Sequence, residues 1–346
     1  MRINQGGTEI DPLEVRILQA ARSALSIATR VIVRGGTGHP YWQHFTDATA
    51  KQIAPALGAE IHRVMYEPPL KMPIKTMELP LAGAEHGPHA LRLAFDLVAV
   101  ANGLSVADST RNRPPKESSP DDAAGDDTLN YLKRTKRVVG LVLSNDPGSF
   151  GLHPALWFYN ANGVFQPAAL LNVVTWLLSL EKRGKLHAFR RLRGRLEDLI
   201  LEHPTLIKPS INKLGSGSRT RKRMVGVLDR MLDLLAEHDD NEMVWADLSD
   251  EFKALRRDEE EQTEAAKRGT AGGGFDLSVK NATTLADLRS VPRCKLCGGL
   301  KHPNGITLDH TVKKADGGLS SVHNSRWVHP ICNGSRDMDE PTGATS

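Results

Sequence analysis

The three cysteines of this 346-residue chain all fall between positions 294 and 332, as Cys294-x-x-Cys297 followed by His329-x-x-Cys332. Two pairs at this spacing present four soft or borderline ligands, a set that suits a tetrahedral structural zinc. A segment this short buries little apolar surface, so a metal held at both of its ends would staple it. His302 and His323 are alternative imidazoles for the fourth ligand, but neither has the x-x-Cys spacing and His329 leads. Between and beside the pairs stand Asp309, His310, Asn324 and Asn333. These are hard oxygen donors and one more imidazole, which suit a Mg²⁺- or Mn²⁺-dependent attack on a phosphodiester.

Gly305-Ile-Thr-Leu-Asp-His310 alternates as a short strand with Asp309 and His310 at its end. Arg326-Trp-Val328 is a candidate second strand, and Pro330 opens a short helix that carries Cys332 and Asn333. Gly334 follows at once and weakens that helix by about 1 kcal/mol relative to alanine. His310 is the candidate general base, because imidazole titrates near neutral pH.

The segment CKLCGGLKHPNGITLDHTVKKADGGLSSVHNSRWVHPICN resembles an HNH endonuclease of the ββα-metal fold, in the variant with a zinc knuckle. Asn324 lies 14 positions after His310 and Asn333 a further 9, and Gly317-Gly318 falls where the family turns between its strands. A lone DH or CxxC would be unspecific; here several positions agree at once. The resemblance implies that Asn324 fixes the His310 ring through a hydrogen bond, and that Asp309 and Asn333 ligate the catalytic cation. It departs from many members in using His329 where they have a fourth cysteine.

The rest of the chain is expected to be mainly α-helical. Pro167 starts a helix to about Lys182, apolar on nearly all sides and therefore central. Amphipathic helices follow at about Lys185–Glu202 and Thr220–Glu237. Arg137–Leu143 reads either as a short strand or as the start of another helix. Residues 105–127 are polar and rich in Pro, Ser and Asp, a long loop. Residues 258–274 pass from acidic to triple glycine, a linker. The expected organisation is a helical regulatory or scaffold region over 1–257, the linker, and a nuclease module over 275–346.

Hydrophobic content of 40% and a net charge of +4 are ordinary for a water-soluble chain, so any nucleic-acid surface has to be local. The arginines at 190–195 and the cluster at 219–223 read first as solvated faces and second as nucleic-acid contacts. No apolar run is long enough to span a bilayer and the first residues carry no leader-like stretch, so cytoplasm is the expectation and no membrane partner is called. RINQGGTEIDPLEVRIL and GLHPALWFYNANGVFQPAALL are similar to stretches of the prokaryotic family that includes the GmrSD restriction proteins. Those proteins couple a ParB/sulfiredoxin-like nucleotide-binding domain to a helical region. Here the RIN-x-GG stretch begins at Arg2 and the DGQQR-type motif is absent from the sequence. The likeness therefore implies a restriction or phage-defence setting and a nucleotide-binding partner subunit, and gives no warrant for NTP hydrolysis by this chain. DNA is the expected substrate. The competing readings are a non-catalytic zinc-containing sensor or assembly subunit, and an RNA-cleaving toxin.

Overall fold

A computed structural model describes residues 13, 17–18, 20–38, 41–87, 89–104, 120–204, 206, 218–253, 255 and 274–335. The RIN-x-GG stretch, most of the 105–127 loop, the linker up to 273 and the last eleven residues lie outside them. The chain divides into two compact units, Met1–Arg63 with Pro88–Lys136, and Val64–Gly87 with Arg137–Ser346.

The first unit is helical. α1 (Ala24–Val33) is N-capped by the Ser23 hydroxyl, and α2 (Ala48–Tyr66) runs on into the second unit. α3 (Ala90–Ala101) packs on α1, and Leu93, Leu97 and Val98 of the one and Ile27, Val31 and Ile32 of the other are all buried. α4 (Asp126–Val142) takes in residues 137–142 as its last turns, so that segment is helical but ends a helix instead of starting one. The end of the expected loop is structured. Asp121 bridges to Ser23, and the Asp122 carboxylate accepts from the N–H groups of Gly125 (3.1 Å) and Thr128 (2.7 Å). An aspartate placed to satisfy the open amides of a helix start is stable order that composition alone does not display.

In the second unit α5 (Pro154–Trp157) precedes α6 (Pro167–Lys182), the central helix, which starts on its proline as expected. α7 (Leu186–Glu202) and α8 (Ser218–Glu237) flank it, and α9 (Asn241–Glu251) packs on α8. Trp157, Trp176 and Phe150 converge on Phe189 of α7, with ring centroids 4.8–6.2 Å away. After α10 (Leu277–Ala286), β1 (Thr307–His310) pairs antiparallel with β2 (Ser325–Val328), and α11 (Pro330–Gly334) lies against β1. The fold is thus mostly helical, with one small two-stranded sheet and helix at the C-terminal end. The composition break at 258–274 is not where the compact units part, because 274–335 belongs with the helices from 137 onward. Among the described residues no helix is long and apolar enough to cross a membrane.

Candidate functional site

Arg293 and Leu300 form an isolated antiparallel bridge, and the turn between them carries Cys294 and Cys297. Cys294 N–H donates to Gly299 O (2.8 Å) and Gly298 N–H to Cys294 O (2.9 Å), curling the turn so that both sulfurs face inward. His329 and Cys332 approach from the other side, across the start of α11. The four ligand atoms all lie within 4.8 Å of one another, and all four residues are buried. A tetrahedron with bonds of about 2.0–2.3 Å has edges of roughly 3.3–3.8 Å, so the donor set fits a thiolate-preferring cation such as zinc. His302 and His323 are not among the four.

The electrostatics point the same way. Hydrogen bonds from Cys297 and Cys332 hold the Cys294 thiol far below its ordinary range, while those same contacts push Cys297 up to about 11 and Cys332 higher still. A divalent cation bound by such a set would favour the thiolate form of every sulfur that ligates it. Burial pushes His329 down, as does Arg193 nearby. Its Nε2 is 3.0 Å from the Leu300 carbonyl, to which it donates, so Nδ1 carries the lone pair and stands 3.3 Å from Cys297 Sγ.

Beside this centre the sheet separates the second set of residues. Alternation turns Asp309 inward, 6% exposed, and His310 to the opposite face. Asp309 Oδ2 accepts from Arg326 Nε at 2.8 Å, so the carboxylate expected to serve a cation already has a guanidinium partner, its direct cross-strand neighbour. His310 Nε2 is 3.0 Å from Ser320 Oγ. Asn324 was expected to bond the His310 ring. Its Oδ1 accepts from Val312 N–H (2.6 Å) and its two amide protons go to Val312 O (3.0 Å) and Leu319 O (2.8 Å). The amide therefore clamps the ends of the loop that carries Ser320, and any hold on the ring runs through that loop. Asn333 sits on α11, which ends after five residues as Gly334 foretold, and its N–H donates to His329 O at 3.1 Å.

The arginine-rich stretch of α7 is only in part a solvated face: Arg191 is exposed, while its neighbours on the helix turn inward. Arg190 and Arg193 are 2% and 0% exposed, and Arg195 donates to Leu235 O (2.8 Å) and Asn241 Oδ1 (3.1 Å). Arg193 bonds Glu197 Oε1 (2.7 Å), the Phe150 carbonyl and Gly151 O (3.1 Å). Glu197, also fully buried, accepts from Trp157 Nε1 (3.1 Å) and from Leu300 N–H (2.5 Å). Breaking such a buried pair by removing one partner costs about 3–5 kcal/mol. Glycine makes the approach feasible. A Cβ at Gly194 would lie 2.9 Å from Cys297 O, and one at Gly299 would lie 2.4 Å from Arg193 Nε. A glycine amid a helix of arginines was the available sign that this helix is in close contact with another backbone.

Comparison of the chain with protein-family models, curated proteins and solved structures found no match.

Proposed function

We propose that this chain is a metal-dependent endonuclease of HNH type that hydrolyses phosphodiester bonds of DNA, in a restriction or phage-defence setting. The observation that carries the reading is the order strand, clamped loop, strand, short helix around a Cys3His cluster, with His310 at the end of β1 on its outward face. In this reading His310 takes the proton of the attacking water, Ser320 holds its Nε2, and Asn324 keeps the loop in register. Asp309 and Asn333 would hold a Mg²⁺ or Mn²⁺ ion. Arg326 takes Oδ2 of Asp309, and a carboxylate with two oxygens can serve both a guanidinium and a cation. Such a cation, when bound, neutralises charge on the phosphoryl oxygens and leaving group. Leu308 and Trp327, cross-strand partners and each 51% exposed, share the His310 face and offer a stacking surface beside it. Cys294, Cys297, His329 and Cys332 hold zinc in a structural role.

The Arg326–Asp309 ion pair favours a second reading, a zinc-containing module that binds nucleic acid or a partner without cutting. One experiment separates the two. Purified protein is incubated with plasmid DNA and with RNA, in Mg²⁺, Mn²⁺ or EDTA, beside His310→Ala. Cleavage of DNA that EDTA abolishes, and that the variant slows by about 10²–10⁴-fold, is expected. Equal rates for the two proteins would remove His310 as the base. Binding without cleavage in any metal would establish the second reading.

A further inference from the structure

His329 owes its ligating tautomer to one acceptor, the Leu300 carbonyl, 3.0 Å from Nε2. That carbonyl belongs to a residue whose backbone N–H and C=O are both bonded by side chains of α7. Leu300 N–H donates to Glu197 Oε2 at 2.5 Å, and Leu300 O also accepts from Arg193 Nη2 at 3.4 Å. Next to it on the same helix, Gly194 N–H reaches Cys297 O at 2.9 Å, on the backbone of a second ligand. All of these side chains are buried. A buried Arg–Glu pair is a poor source of stability, because desolvation offsets most of its attraction. What it supplies is direction. The guanidinium is a rigid fork, Glu197 is further fixed by Trp157 Nε1 at 3.1 Å, and together they hold the backbone on both sides of the Leu300 Cα.

We propose that Glu197 and Arg193 are positioning residues of the metal centre, which through the Leu300 peptide set the tautomer and ring orientation of His329 and hence the hold on zinc. The proposal rests on the metal reading of the Cys3His cluster and not on catalysis. It makes α7, about a hundred residues upstream, the outer sphere of the site. The helical part of the chain then acts on the C-terminal end through metal retention.

The test uses the full-length zinc-loaded chain. Zinc content is measured by elemental analysis, and the rate of zinc transfer to a chromogenic chelator is followed under native conditions. Spectra of the cobalt-substituted protein report on the ligand field. Glu197→Gln keeps the shape and weakens the support of Leu300. Because it leaves Arg193 unpaired and fails to fold in one foreseeable case, the double variant Arg193→Met with Glu197→Leu removes both charges and fills the space. Arg195→Ala is the control, since that side chain braces α7 against Leu235 and Asn241 and has no bond to the ligand loop. Loss of an outer-sphere partner typically weakens metal binding 10–100-fold. Folded Glu197 variants should therefore release zinc about 10–100-fold faster than wild type, with a shifted cobalt spectrum. Arg195→Ala should lower the melting temperature without either change. Wild-type release rates and spectra in a folded Glu197 variant would overturn the proposal. So would equal acceleration in Arg195→Ala, which would reduce the effect to stability. A wild-type chain that holds no zinc would instead remove the metal reading on which the proposal stands.

Discussion

Single residues here differ most in what burial does to them. His153 and His302 lie edge to face with ring centroids 5.3 Å apart, 2% and 1% exposed. Burial pushes His302 down to about 4 and His153 well below its ordinary 6.5. Between about 6.5 and 4 the unfolded chain takes up a proton at His302 and the folded chain does not, so the His302 contribution lowers stability as pH drops through that window. His302→Asn should flatten the dependence of melting temperature on pH between those values. The measurement is made in zinc-loaded and in chelator-treated protein, so that acid release of metal is not counted. An unchanged slope would assign the titration elsewhere. His302 was weighed from sequence as a substitute zinc ligand, and its spacing argued correctly against that. Its place against His153 was not legible, since nothing local connects positions 153 and 302.

At the scale of elements, the two-stranded sheet carries most of the functional reading. Strand alternation sends Asp309 and Val328 to the buried face and Leu308, His310 and Trp327 to the other. A tryptophan and a leucine half-exposed side by side are unusual on a soluble surface unless something docks there. Trp327→Ala should raise the dissociation constant for a single-stranded oligonucleotide by about tenfold, because stacking of one base is worth about 1–3 kcal/mol. Fluorescence anisotropy of a labelled strand reads this directly, with duplex DNA and RNA as parallel arms. Unaltered affinity in a folded variant would show that this face meets no base. The period-2 pattern located both strands to within two residues. Which face meets solvent came from the packing of α11 and the ligand turn.

For the whole molecule, the decisive fact is that the C-terminal segment belongs with the helices from Arg137 onward, although a glycine-rich sequence precedes it. Cys297 O and both backbone polar groups of Leu300 have partners on α7. A fragment from Gly274 to Ser346 would leave those groups without partners and a sheet of two strands with little to pack on. Such a fragment should show no cooperative thermal transition by circular dichroism even with added zinc, whereas the full chain should. A cooperative melt of the zinc-loaded fragment would make the linker a true domain boundary.

Local periodicity alone determined the central helix at Pro167–Lys182, the helices on either side of the 203–217 stretch, both strands and the start of α11. Ligand spacing alone determined the Cys3His cluster, because CxxC and HxxC each place two donors on one short turn. These signals act over a few residues, and a single sequence displays them. The interior arginines of α7 could not be read in that way. An amphipathic pattern says which stripe is apolar, but not whether the polar stripe faces water or another backbone. Arg193 meets Phe150, Gly151 and Leu300, 43, 42 and 107 positions away. Only the folded chain brings such groups together, and only there does a run of charge become an internal brace.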